Sequence, residues 1–404
     1  MKKGWQTKRL GDFAAAVSTG PFGSILHKSD YVDDGVPLVN PTNIVGESIV
    51  PDPSKLISEV TIKRLSNYVL EEGDIVVGRR GEIGRCAVVG PSESGWVCGT
   101  GSFFIRPLPS LDSQFLAHLI RSPEYREQLE KLSTGATMKN LSNTALGDLV
   151  VSIPPLAEQQ RIVGLLDEAF EGLATAKANA EKNLQNACTL FESYLQSVFT
   201  QRGPGWVEKR LEDVCVIGDG NHSSNYPKKE ELVAKGVPFI RSTNLVDGEI
   251  SDEDMRFLSP EKHAQLKKGH LKTGDILFTN RGEIGKTAIV DAGHEGSNLN
   301  SQIAWLRCSE TLNNRFLFHV LNSGAIKSHL ELSKNGAALQ QFTIRQIKEL
   351  KIPIPPKDQQ RALVVSLDGL SSETQRLARL YERKLVALEA LKRSLLHQAF
   401  SGEL

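Results

Sequence analysis

The chain has 404 residues, a formal net charge of zero at pH 7, 40% apolar residues, 34 glycines and 18 prolines. This length holds two or three ordinary domains, and the composition excludes a disordered or fibrous chain. A neutral total also excludes the globally basic footprint common among nucleic-acid binders, although locally basic loops remain compatible with it.

No run approaches the ~20 apolar residues of a membrane span, and the first thirty residues hold no apolar core of signal-peptide length. The five cysteines (Cys86, Cys98, Cys188, Cys215, Cys308) form no CxxC and no pair at zinc-site spacing. An odd, scattered set fits a reduced, cytoplasmic protein with buried thiols.

The dominant feature is an internal repeat at an offset of 201 residues. Trp5 with KRLGDF returns as Trp206 with KRLEDV, and GVPLVNPTNI (35–44) returns as GVPFIRSTNL (236–245). GDIVVGRRGEIGRCAVV (73–89) matches GDILFTNRGEIGKTAIV (274–290) at ten of 17 positions. STGATMKNLS (133–142) corresponds to KNGAALQQFT (334–343), and IPPLAEQQR (153–161) to IPPKDQQR (354–361) with one residue deleted. Such self-similarity describes a duplicated module of about 200 residues.

In chain order, residues 1–152 combine Gly, Pro and Asn with short β-type runs such as DIVVG, RCAVVG and LVVSIP. These predict a mixed α/β (α+β) domain of short strands and turn-rich loops. LDSQFLAHLIRSPEYREQLEKLS (111–133) has helical spacing, repeated at 315–333. Residues 153–203 then read as one long helix, with Pro155 suited to its first turn, where a missing N–H costs nothing. Residues 204–353 repeat the domain, and 354–404 repeat the helix, with Pro356 in the place of Pro155.

Both helices carry heptads. The first seam is Ile162, Leu166, Ala169, Leu173, Ala176, Ala180, Ala187, Leu190 and Tyr194, interrupted at Asn183. The second is Leu363, Leu367, Leu370, Thr374, Leu377, Tyr381, Lys384, Leu388, Leu391 and Leu395. An Ala-rich seam complements a Leu-rich one, so the helices are expected to pair in a coiled coil; the alternative is that each packs on its own domain. About 45 helical residues span roughly 65–70 Å, about two turns of B-DNA. If the second helix returns along the first, the coiled coil is antiparallel, with two pseudo-two-fold-related copies of the domain at its ends.

Several chemistries fail on inspection. NRGEIGKT (280–287) resembles a phosphate-binding loop but has Asn280 in place of the first glycine and precedes a strand-like TAIVDAG, so nucleotide hydrolysis is excluded. RGEIG reads instead as a glycine turn between two strands, with Arg80 and Arg281 at its entrance. VNPTNI lacks the second proline and aromatic of an adenine-methyltransferase loop. His27, His222 and His294 have no metal-spaced partners and read as surface histidines. Asp12 with Asp74, and Asp213 with Asp275, read as capping or turn residues. No catalytic constellation emerges, and no metal or cofactor is expected on this chain.

Polar, glycine-punctuated loops recur at matching places with different contents. STGPFGSILHKSD (18–30) stands opposite DGNHSSNYPKKEE (219–231), VCGTGS (97–102) opposite NLNSQ (298–302), and ATMKN (136–140) opposite AALQQ (337–341). A scaffold kept while Ser, His, Asn, Gln, Lys and Arg are exchanged suits two different base-edge readers. Ordinary drift in exposed loops gives the same pattern, and a scaffold binding only proteins through two heads is the competing class.

The strings IPPLAEQQRIV and IPIPPKDQQR introducing the long helices, together with GDI…RxGxIG in each domain, resemble the specificity (S) subunits of type I restriction-modification systems over the whole chain. That resemblance implies two target-recognition domains, 1–152 and 204–353, each reading one half of a bipartite double-stranded DNA site, with the helices as conserved spacers. It implies two methyltransferase (M) subunits as partners, and restriction (R) subunits as a further class. S-adenosylmethionine and ATP would sit on those partners, leaving this chain non-catalytic.

The DNA-binding candidates in the first domain are Ser24, His27, Lys28, Asn40, Thr42, Asn43, Arg79, Arg80, Lys139 and Asn140. In the second they are His222, Ser223, Asn225, Arg241, Thr243, Asn244, Asn280, Arg281, Gln340 and Gln341. Asn43 and Asn244 sit in shared TN dipeptides that could equally shape a turn. The helix flanks Glu158, Gln159 and Arg161, with Gln359, Gln360 and Arg361, are expected to be exposed and to dock methyltransferase or make cross-helix hydrogen bonds.

Overall fold

The computed structural model describes residues 4–21, 25–133, 140–222, 226–333 and 341–404. It divides into two units, one built from Met1–Ala180 with Arg383–Leu404 and the other from Glu181–Glu382. No described helix is long and apolar enough to cross a membrane.

In the first unit, strands Ala14–Thr19, Ser102–Pro107, Ile75–Gly78 and Cys86–Val88 lie in that order in an antiparallel sheet. A second sheet runs Val97–Cys98, Val36–Val39, Leu56–Ile57 and Tyr31–Val32, its first pair parallel. Gln6–Arg9 pairs with Val150–Ile153 in a ribbon where the domain meets its long helix. The inner strand Ile75–Gly78 is buried throughout, which is why it reads as an unbroken apolar run. Its side chains face two cores. Ile75 and Val77 pack with Phe103, Phe115 and the long-helix residues Ile162 and Leu166, whereas Val76 packs with Phe104, Val39 and Cys98.

The second unit repeats these pairings 201 residues later, from Val207–Arg210 with Lys351–Ile354 through Ile276–Thr279 with Ile303–Cys308. The helical segment expected over 111–133 is two helices, Ser113–Arg121 and Pro123–Leu132. Pro123 disfavours helical backbone at Ser122, which is extended (φ −63°, ψ 148°). The second copy breaks likewise, into Asn314–Leu321 and Gly324–Ser333.

The long helices run Leu156–Thr200 and Lys357–Ser401, so Pro155 and Pro356 stand just before the first turn rather than in it. Within the first unit the helices are antiparallel partners: Arg161 Nη2 donates to the Leu404 carbonyl at 3.0 Å, Lys177 pairs with Glu389 at 2.8 Å, and the Lys392 ammonium lies over the Phe170 ring. Within the second, the Tyr194 and Ser366 hydroxyls meet at 2.9 Å.

The heptad frame departs from expectation after Ala180 and Tyr381. Leu184 and Leu385 turn inward in place of Asn183 and the exposed Lys384, and Phe191 replaces Leu190, which is 53% exposed. Leu391 is likewise exposed, while Lys392 turns inward. Two successive four-residue steps form a stutter that turns Asn183 and Lys384 out of the seams, although Lys392 turns into the second.

Candidate nucleic-acid interface

Each RGEIG segment is a loop between paired strands, Ile75–Gly78 with Cys86–Val88 and Ile276–Thr279 with Thr287–Ile289. Gly81, Gly84, Gly282 and Gly285 all adopt positive φ between 73° and 97°, a region open to glycine without strain. Lys286 pairs with Glu283 of its own loop, and a strand follows, so the phosphate-loop geometry is absent.

The arginine at each loop entrance is fixed through its backbone. Arg80 forms an isolated antiparallel bridge with Asn140, and Arg281 forms the equivalent one with Gln341. The Leu141 N–H donates to the Arg79 carbonyl at 3.1 Å, and the Phe342 N–H to the Asn280 carbonyl at 2.9 Å. Common main-chain bonds therefore hold different side chains at equivalent places.

In the first domain, half-buried Arg79 donates from Nε to Asn140 Oδ1 at 3.1 Å and stacks its guanidinium over Phe103. Burial, then the neighbouring Arg80 charge, lowers the Arg79 pKa from its ordinary value, yet an arginine remains a cation. In the second domain Asn280 and Ala304 take the places of Arg79 and Phe103. Arg281, His222, Tyr226 and Ser301 line a cleft of about 450 Å³. The Arg281 Nε is buried without a partner among the described residues, as is Asn280 Oδ1. The His222 ring bonds Asp219 at 2.6 Å, and Lys268 holds the other oxygen of that carboxylate.

Among the described residues, Arg79, Arg80, Arg241 and Arg281 form no ion pair with a carboxylate. By contrast, Arg106 and Arg307 make two-pronged pairs with buried Asp74 and Asp275. Unneutralised guanidinium groups beside polar loops suit an anionic, acceptor-rich ligand.

The other candidates fall differently. His27 and Lys28 are exposed on a short turn capped by Asp30, whose side chain accepts from the His27 N–H. Asn40 is half-buried, Thr42 and Thr243 are exposed, and Arg241 donates from Nη2 to the Asp254 carbonyl. Asn43 and Asn244 are buried turn builders: each accepts the N–H three residues before it, and each donates to the carbonyl seven residues on (Val50, Ser251). They present no edge to a ligand. Ser24, Lys139, Ser223, Asn225 and Gln340 lie outside the described residues.

The helix flanks also need correction. Gln159 and Gln360 are 0% and 1% exposed, and each fastens its domain to its long helix. The Gln159 Oε1 accepts from Asp112 N–H, and its Nε2 donates to the Ser110 and Pro154 carbonyls. Gln360 makes the same three bonds to Asn313, Thr311 and Pro355. Their equivalence restores the 201-residue offset, so IPPLAEQQR and IPPKDQQR align without a deletion. Arg161, paired with Glu158, and Arg361, Gln359 and Gln160 remain on the exposed side.

Sequence reasoning missed a second fastening. His118 bonds Asp167 at 3.0 Å and His319 bonds Asp368 at 2.7 Å, each buried ring joining a domain helix to a long helix. Burial lowers both histidine pKa values despite the carboxylates. His294, read as a surface residue, is buried between Asp291 and Asp252. Tyr226 and Ser301 were also unassigned; recurrence of His118 and His319 at the 201-residue offset was the available signal for the fastening. The Asp12 and Asp213 carboxylates cap local turns, accepting from the Arg9 and Arg210 N–H groups.

The copies differ beside these joints. Glu47 bridges Arg121 and Lys392 in the first unit. The equivalent places in the second unit hold Gly248, Asn322 and Phe191, which line a groove of about 860 Å³.

Residues 2–184 and 204–382 match the family described as type I restriction modification DNA specificity domain. The type I restriction enzyme EcoBI specificity subunit of Escherichia coli is 24% identical over 395 residues, covering 92% of this chain and 80% of that protein. The MjaIX specificity subunit of Methanocaldococcus jannaschii is 24% identical over 373 residues, covering 88% and 84%. The crystal structure of the HsdS subunit from Thermoanaerobacter tengcongensis matches with a TM-score of 0.65 at 22% identity, covering 100% and 98%. A structure described as the basis of complex assembly and conformational transition of the type I R-M system matches at 0.78 and 23%, covering 100% and 99%. With both repeats matched, the chain belongs to the type I restriction modification DNA specificity domain family.

Proposed function

We propose that this chain is the DNA-reading subunit of a type I restriction-modification complex, with residues 1–152 and 204–353 each recognising one half of a bipartite site. The observation carrying this reading is the set of carboxylate-free arginines: Arg79, Arg80 and Arg281 on the equivalent RGEIG loops of two otherwise matched domains, and Arg241 on the turn that corresponds to Asn40. Asn140 and Gln341 bridge Arg80 and Arg281, His222 lines the cleft with Arg281, and Asn40, Thr42 and Thr243 stand on the two equivalent turns, one of which carries Arg241; these complete the proposed contact set, with His27 and Lys28 as exposed contributors. The long helices, 153–203 and 354–404, act as a ruler between half-sites. Their half-buried Glu158 and exposed Arg161, Gln359 and Arg361 are proposed docking points for two methyltransferase subunits, which modify adenine and direct any restriction partner.

The test is a base-modification map of the host genome with the gene intact and deleted. Loss of one bipartite N6-methyladenine motif on deletion is the expected result. An unchanged map would favour the protein-scaffold alternative or a specificity subunit without a working methyltransferase.

A further inference from the structure

The guanidinium groups at these loops are used differently. Arg79, whose place in the second domain is taken by Asn280, donates its Nε–H to Asn140 Oδ1 and has its guanidinium over the Phe103 ring. Arg281 has its backbone pinned by the Gln341 bridge, yet its Nε is buried without an acceptor among the described residues. A buried donor left unmade is costly, and the side chain that carries it lines an open cleft, which points to an acceptor supplied from outside.

The cleft limits what that acceptor can be. Arg281, His222, Tyr226 and Ser301 line it, and no carboxylate is among its described lining residues. The nearby Asp219 is already held by His222 and Lys268. The complementary ligand is therefore acceptor-rich and planar enough to meet the side of a guanidinium fork. Among base edges in the major groove, guanine alone presents two adjacent acceptors, N7 and O6; adenine pairs an acceptor with a donor.

We propose that Arg281 reads a guanine in the half-site of the second domain, donating in the plane of its guanidinium to N7 and O6. The proposal rests on the DNA-reading function above. The equivalent of Arg281 in the first domain is Arg80, which makes the matching backbone bridge with Asn140. A phosphate would offer acceptors too, but it would accept from any cation at that place, whereas the planar fork is specific to arginine.

The test is a modification map in the host, with its own partner subunits, for the native chain and for Arg281→Gln and Arg281→Lys. The expected native map contains a bipartite motif with an invariant guanine in one half. Arg281→Gln should relax that one position, cutting discrimination against other bases roughly tenfold or more while leaving the other half-site unchanged, and Arg281→Lys should relax it less. Continued modification by both variants at motifs that keep the unchanged half guards against a folding artefact.

A uniform loss across all sites, rescued by Arg281→Lys, would identify a phosphate contact and overturn the proposal. A native motif without an invariant guanine in either half would overturn it while leaving the DNA reading intact. Absence of any gene-dependent motif would overturn both.

Discussion

Gln159 and Gln360 each convert a flexible domain–helix junction into a fixed one through three buried hydrogen bonds. Replacing either by Ala leaves a buried N–H and two buried carbonyls unsatisfied. The expected loss is about 2–3 kcal/mol of stability, read as a lower thermal midpoint. Gln159→Glu should behave similarly, because a carboxylate cannot donate to the Ser110 and Pro154 carbonyls.

The histidine fastenings give a pH dependence. The His118 Nδ1 is buried without a partner among the described residues, so protonation would place an unpaired N–H there. Burial holds His118 and His319 below the ordinary value of 6.5. Below that pH the unfolded chain binds more protons than the folded one, and stability falls as pH falls. Thermal midpoints should decline between pH 7 and pH 5, and His319→Gln should flatten that decline.

These residues also show what was legible. The sequence exposed the QQ dipeptides but not which glutamine turns inward. That choice depends on the phase of the helix against the Ser110–Asp112 turn, a long-range contact. Paired Asn43 and Asn244 looked like readers because a turn-building amide and a base-reading amide have the same composition.

At the scale of elements, the strands and long helices followed from local pattern, because apolar runs, prolines and heptads are short-range signals. The stutters at Ala180–Leu184 and Tyr381–Leu385 did not, since a strict 4–3 alternation was extended through Asn183 and Lys384. The corrected frame is testable. Leu190→Gln should change stability by less than about 0.5 kcal/mol, whereas Leu184→Gln should lower the midpoint measurably. The reverse ranking would restore the unbroken heptad. The break at Ser122–Pro123 escapes the local pattern for a related reason: apolar spacing continues across a proline that ends a helix locally.

At the scale of the whole chain, the ruler role predicts that removing one heptad from both long helices shortens the preferred gap between half-sites, as read from the modification map. An unchanged gap would remove the ruler from the proposed function. The neutral net charge predicts a second property. The isolated chain should bind its site weakly, and binding should fall steeply with salt, because few phosphates are neutralised without partner subunits. Tight binding at physiological ionic strength would contradict this.

One unit is assembled from two distant stretches of chain, Met1–Ala180 and Arg383–Leu404, whereas the other is continuous. Phe400 packs edge-on against Phe115 at 5.4 Å, with Leu396 and Ala399 in the same core. During synthesis, the first domain therefore emerges early but waits for some 200 further residues, on the order of ten seconds or more, before its core closes. The second domain, though made later, has all its parts first. Biogenesis thus reverses the order of the sequence, and a released fragment ending at residue 382 should contain a protease-resistant second domain beside a susceptible first one.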